Sequence, residues 1–195
     1  LSFVDGVPLS LVRGELLLGG TGVGVMAADD RRRDEQVFGL DLKGDLLLGL
    51  WIEAAYHLTD ERSDYFRGVV GADYSFNVAE RLTLSAQYYY DSSGGTGIDD
   101  YNYAAFASGK RSFLARQYAS LVSVLSFNEL TSLSVSAILN LQDLSSLTSV
   151  GVSRYFFENL EVSGRAFLAT GPEQGEYNPN EEPITTFELY LDWRF

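Results

Sequence analysis

His57 is the one histidine of the chain, with Glu53 upstream and Asp60 and Glu61 just beyond it. An imidazole needs a carboxylate to fix its tautomer before it can act as a general base, and this neighbourhood offers three. No nucleophile motif accompanies it, so no enzyme activity is expected; His57 reads as an inward-facing residue at the outer end of a strand, beside Glu53. Gly22-Val23-Gly24-Val25-Met26-Ala27 satisfies a loose GxGxxA fingerprint, yet no helical pattern follows to present its N-terminus to a phosphate. No cofactor and no metal are expected. Arg31, Arg32 and Arg33 form a basic run among acids, read as a solvated loop, with contact to phosphate groups as the functional alternative. The acidic stretch 171–183 lacks the spacing of a calcium loop.

Composition narrows the partners. A formal charge of -13 argues against nucleic acid, which is held by clustered Lys and Arg. With no cysteine there is neither a disulfide framework nor a thiolate site. No apolar run is long enough for a membrane-spanning helix.

The elements that must position these residues are strands. Helical spacing is scarce, while alternation recurs in segment after segment. In "TTFELYLDWRF", Thr185, Phe187, Leu189, Leu191, Trp193 and Phe195 alternate with Thr186, Glu188, Tyr190, Asp192 and Arg194. Leu82, Leu84, Ala86, Tyr88 and Tyr90 likewise alternate with Thr83, Ser85, Gln87, Tyr89 and Asp91. A soluble barrel or sandwich would alternate too. Two features favour a membrane barrel instead: tyrosine and phenylalanine flank the apolar faces near strand ends, and the polar faces carry hydroxyls and charges of both signs, suited to a wet interior. Strands of about 9 to 11 residues match a tilted bilayer crossing, and only closure satisfies a sheet's backbone in lipid.

The expected architecture is all-β, a transmembrane antiparallel up-and-down β-barrel occupying residues 1–195 as one domain. Strands are expected at 7–13, 15–28, 36–43, 46–58, 65–77, 81–91, 115–127, 130–142, 145–157, 160–171 and 185–195. That odd count leaves two alternatives open. Either "LSFV" is the tail of a twelfth strand whose start is missing, or residues 1–14 form no strand and ten remain; about twelve is the expectation. The repeat of "LVRGELLLGG" at 11–20 as "DLKGDLLLGL" at 41–50 is read as one periplasmic turn used twice, at Arg13-Gly14-Glu15 and Lys43-Gly44-Asp45. The lipid-facing parity assigned to Leu42 and Leu46 conflicts with Val23 and Val25, so a bulge is expected near Gly19-Gly20. Further tight turns are expected at 77–81, 128–130 and 158–159, and long loops at 29–35, 59–65, 92–114 and 171–183. The registers of 115–127 and 145–157 stay ambiguous.

The ending "YLDWRF" resembles the C-terminal signature of Gram-negative outer-membrane β-barrel proteins, of which the chain looks most like the porins. Phe195, Trp193, Leu191 and Leu189 match that signature, with Trp193 in place of the usual tyrosine. The resemblance implies residence in the bacterial outer membrane, contact with the bilayer and lipopolysaccharide, and recognition of Trp193 and Phe195 by the barrel assembly machinery. It leaves the oligomeric state open.

The function expected is a passive channel for small polar solutes. Its lumen would be lined by Asp41, Lys43, Trp51, Glu53, His57, Arg67, Asp73, Gln87, Tyr89, Asp91, Asn140, Gln142, Glu161, Arg165, Glu188, Tyr190, Asp192 and Arg194. Acids predominate among these, which favours cations. The alternatives are a closed structural barrel, its charges paired as Arg67 with Asp73 and Arg165 with Glu188 or Tyr190, and a barrel enzyme using His57. Inward Gly39, Gly49 and Gly71 lean toward an open path, and the 92–114 loop is expected either to fold inward and narrow the lumen or to stand clear.

Overall fold

The computed structural model describes residues 2–4, 7–31, 34–45, 47–60, 63–109, 111–156, 159–178 and 183–193, with backbone alone at 2–4, 7 and 8. One antiparallel sheet holds twelve strands in chain order. They are β1 (Ser2–Val4), β2 (Val7–Leu18), β3 (Thr21–Asp30), β4 (Glu35–Asp45), β5 (Gly49–Thr59), β6 (Tyr65–Phe76), β7 (Arg81–Asp91), β8 (Gln117–Asn128), β9 (Thr131–Asn140), β10 (Ser146–Phe156), β11 (Leu160–Thr170) and β12 (Ile184–Trp193). Between β7 and β8 the described residues include a 3-10 turn at Ile98–Asp100 and a short helix, α1 (Tyr103–Ala107).

Residues opposite each other on neighbouring strands share a face, so the register extends each strand's alternation across the sheet. One row runs Leu42, Ile52, Val70, Tyr88, Ala119, Leu139; the row beside it runs Asp41, Glu53, Val69, Tyr89, Tyr118, Asn140. The first face is apolar and the second polar. The two ambiguous strands are settled by the same logic. Leu121 and Leu125 take the apolar face and leave Val122 and Val124 on the polar one, while Val150 and Val152 are apolar-side and Ser149, Gly151 and Ser153 polar-side. Aromatic rings collect at both margins of the apolar face. Phe38, Tyr56, Phe66 and Tyr90 lie toward one end of the strands, and Tyr74, Phe76, Phe156 and Trp193 toward the other.

From β2 onward, connections also sort by end. At one end they are the brief turns 19–20, 46–48, 77–80, 129–130 and 157–159; at the other they are 31–34, 60–64, 92–116, 141–145 and 171–183. The repeated motif is not the turn itself, which corrects the expectation from sequence. β2 continues straight through Gly14, which lies opposite Val25, and Arg13 and Glu15 point to the polar face. The hairpin falls instead at Gly19-Gly20, with φ of 56° and 88°. Both residues of a tight type I′ turn need positive φ, which glycine adopts without strain. No bulge is needed there, since Val23 and Val25 are on the apolar face in regular register; the recorded register shift lies between Ser126 and Asn128. In the second copy β4 likewise runs through Gly44 to Asp45 before turning. Leu46, whose face had been assigned from parity, lies outside the described residues.

Closure is absent among the described residues: β12 pairs with β11, β1 pairs with β2, and the sheet is open. β2 and β12, an even number of antiparallel steps apart, run in the same direction, so their free edges cannot form an antiparallel pair. β1, which runs the opposite way, is only 3 residues long. The accessible surface is 12965 Å², against about 9,200 Å² for a compact soluble chain of this mass. Buried apolar residues are correspondingly few, and Tyr101, Leu114, Ala115 and Tyr118 form one cluster at the long-loop end.

Glycines of the polar face are covered, contrary to the expectation that Gly39, Gly49 and Gly71 leave open space. Met26 lies over Gly39, Asp73 over Gly49, Asp41 over Gly24 and the Trp51 indole over Gly71. A Cβ at Gly71 would sit 2.1 Å from Trp51 Cζ2. Gly71→Val is therefore expected to lift the indole off the sheet at a cost of about 1–3 kcal/mol. A red shift of tryptophan emission and a lower urea midpoint report it, with Trp51→Ala in the same chain restoring most of the loss.

Candidate functional site

The long-loop end of the polar face holds the densest polar chemistry. β5 brings His57 and β4 brings Glu35 to its rim, both about nine-tenths buried, and His57 Nδ1 is hydrogen-bonded to Glu35 Oε1. The hydroxyl of Tyr65, at the start of β6, donates to the same oxygen at 2.7 Å. Its ring stacks on the imidazole with centroids 4.2 Å apart. The acid partner of His57 is thus Glu35, not Glu53. Glu53 shares the polar face but stands farther down β5, opposite Asp41 and Val69. The sequence hid this pairing because Glu35 belongs to the preceding strand. The sequence places it at the end of a loop, whereas β4 begins there.

Next along the rim, Arg67 Nε donates to Asp91 Oδ2 at 2.8 Å, and the guanidinium lies 4.9 Å from the centre of the Tyr65 ring. Asp91 also accepts from the Ser93 amide at 2.8 Å and the Ser93 hydroxyl at 2.6 Å. The expected partner Asp73 is too far down β6; antiparallel register sets Arg67 opposite Asp91.

Beyond β7 the chain does not stand clear. Residues 92–116 fold back over the polar face, where Phe113, Tyr101 and Leu114 pack with Tyr89, Tyr118 and Ile138. Glu176, from the 171–183 connection, is the polar centre of this packing. It accepts from the Tyr118 hydroxyl at 2.5 Å, from Asn140 Nδ2 at 2.9 Å and from the Leu114 amide at 3.2 Å. Asn140, fully buried, also donates to the Tyr101 hydroxyl at 2.8 Å, and that hydroxyl donates to Asp143 at 2.9 Å. Asp143 in turn accepts from the Glu176 amide at 2.9 Å. Three connections are thereby tied into one unit. Asn140 stands in a strand with legible alternation and Tyr118 in one whose register the sequence leaves ambiguous, and their partners come from loops distant in sequence, so Glu176, Asp143 and Tyr101 carry no signal of a shared site.

Burial pushes the Glu176 carboxyl above the ordinary carboxylate range, helped by the nearby Asp143 charge and opposed by the bonds from Tyr118, Leu114 and Asn140. Burial likewise raises the phenols of Tyr101 and Tyr177. A raised acid keeps its proton in the folded state at pH values where the unfolded chain has released it. Its contribution is full below the unfolded pKa and is lost as pH rises through the folded one. Protection of the Leu114 and Ala115 amides against hydrogen exchange, corrected for intrinsic rates, should therefore fall as pH rises above the ordinary carboxyl range. Glu176→Gln should flatten that dependence.

The remaining predicted residues are spread along the polar face and not gathered at one point. Asp41, Lys43, Trp51, Glu53, Arg67 and Tyr89 border a cavity of about 470 Å³ above β2–β7, in which Arg13 reaches Asp41 at 3.4 Å. Asp73 and Gln87 share the face, as do Glu161, Arg165, Glu188, Tyr190 and Asp192 at the far edge. Arg165 stands opposite Glu188, which accepts from the Tyr190 hydroxyl at 2.7 Å. Gln142 lies past the end of β9 and accepts from the Gln117 amide at 2.9 Å. Trp193 is exposed on the apolar face, while Arg194 and Phe195 lie outside the described residues. Arg31 reaches Asp29 at 3.3 Å; Arg32, Arg33 and Glu61 also lie outside the described residues. Gly22 and Gly24 are interior to β3, and β4 begins five residues after β3 ends. No group of three His, Asp or Glu among the described residues converges as a metal site. No family model matches the chain, and no curated protein matches it.

Proposed function

We propose that the chain is an outer-membrane β-barrel acting as a passive channel for small polar solutes, with a mild preference for cations. The observation that carries this reading is the sorting of the sheet from β2 to β12 into an exposed face that is mainly apolar and an opposite face that carries most of the charge. Aromatic margins at both ends of the strands, and tight turns at one end opposite longer connections, support it further. On this reading the apolar face meets lipid, the brief turns are periplasmic, and Trp193 with Phe195 is read by the assembly machinery. Closure between β12 and β2 calls for an ascending strand in the position β1 occupies, giving twelve. Acids outnumber bases along the polar face, which sets the cation preference.

A second reading, a closed structural barrel, is favoured by the covered glycines and by the 92–116 segment lying over the polar face. The Glu35–His57 pair then holds the rim together and catalyses nothing. Planar-bilayer recording of the refolded chain across a salt gradient separates the two. Steady steps with a cationic reversal potential support the channel, and a folded, heat-modifiable but silent protein supports the scaffold.

A further inference from the structure

Between the 60–64 connection and α1 lies a cavity of about 640 Å³, well within the size range of small-molecule sites. Its charge runs against that of the chain. The protein carries a net -13, yet the described lining residues include Arg67 and Arg111 and no carboxylate. Asp91 grips Arg67 through Nε at 2.8 Å, fixing the plane of the guanidinium where it borders the cavity. Arg111 has no carboxylate partner among the described residues. Ser63, Ser93, Ser108 and Asn102 supply the rest of a polar wall. The Asn102 oxygen is occupied by the Ala105 amide at 2.9 Å, which leaves its amide nitrogen to donate.

We propose that this cavity binds a small hydroxyl-bearing oxyanion, a sugar acid or a sugar phosphate, from solution. With Arg67 paired to Asp91, Arg111 leaves the hollow with a net positive charge among the described residues; an oxyanion would neutralise it, and arginine's planar fork suits carboxylate and phosphate alike. Serine hydroxyls and an amide would hold the ligand's hydroxyl groups. Tyr65 and Arg67 reach the cavity from the polar face of the sheet, away from the face where a lipid would lie, so the ligand arrives through water. The site stands on the geometry of the rim and does not require the sheet to conduct.

Titration calorimetry on the whole refolded chain in detergent at low salt tests it, with glucuronate, glucose 6-phosphate, inorganic phosphate and glucose as probes. Glucuronate and glucose 6-phosphate should bind, weaken as salt rises, and exceed inorganic phosphate and glucose at least tenfold. Arg111→Gln, a loop substitution away from the Asp91 pair, should cost at least tenfold in affinity. Arg67→Lys keeps the charge beside Asp91 but loses the fork, and should also weaken binding. Absence of heat with every probe, equal binding of glucose and glucuronate, inorganic phosphate binding as tightly as the sugar anions, or an unchanged Arg111→Gln would each overturn the proposal. Binding without conductance keeps this site and discards the channel; conductance without binding does the reverse.

Discussion

Replacing Asn140 by leucine is expected to release the 92–116 segment from the polar face and to cost about 2–4 kcal/mol. The estimate comes from the partners left behind. Nδ2 serves both the Tyr101 hydroxyl and Glu176, and Oδ1 accepts from the Gln142 amide at 2.9 Å, all at a residue with no exposed surface. Leucine fills the volume but strands a buried carboxylate and an amide, and an unpaired buried group costs more than the bond it made was worth. Limited trypsinolysis after Arg111 should accelerate sharply in the variant, and urea unfolding gives the energy. The companion substitution Glu176→Leu should recover part of the loss in the double mutant, because removing both partners of a buried bond is cheaper than removing one. If cleavage at Arg111 is as slow in Asn140→Leu as in the parent chain, the segment is held without the Asn140 bonds, by its apolar contacts and the remaining ties of Leu114 to Glu176 and Tyr101 to Asp143. On the channel reading, release of the segment should also raise conductance.

Why this unit escaped the sequence is instructive beside what did not. Alternation is a local signal with period two, so Leu189, Leu191 and Trp193 declare one face and Glu188, Tyr190 and Asp192 the other without reference to any neighbour. Register then follows from the faces, and the polar-face positions named from sequence fall into shared rows in the sheet. Turn placement was less legible. Arg13-Gly14-Glu15 has the composition of a turn, but a strand tolerates one glycine with charges on its polar side, and the pair Gly19-Gly20 satisfies a tight hairpin better. Side-chain partners were least legible of all. Glu35 for His57, Asp91 for Arg67 and Glu176 for Asn140 each come from another strand or loop, and nearness along the chain favoured Glu53 and Asp73 instead. Spacing within one segment reports which way a residue points; it does not report what stands beside it.

A substitution at neighbouring residues of β6 decides whether the apolar face meets lipid. Val69 and Val70 are adjacent in sequence but on opposite faces: Val69 lies between Glu53 and Tyr89, and Val70 between Ile52 and Tyr88. Val70 is 45% exposed. If water covered that face, arginine at Val70 would cost no more than a typical surface change, about 0.5 kcal/mol. If lipid covers it, arginine near the middle of the strand must be drawn into hydrocarbon, at about 2–4 kcal/mol. Arginine at Val69 faces Glu53 in either case and should be close to neutral. The expected result for protein refolded into phospholipid vesicles is therefore a large loss for Val70→Arg and little change for Val69→Arg, read from urea unfolding in the same vesicles. The contrast should shrink as position 70 is exchanged for Phe66 or Phe76 near the strand ends, where the charge can snorkel to the interface. Equal costs at 69 and 70 would remove the membrane reading, and with it the channel, while leaving the sheet and its polar rim as described.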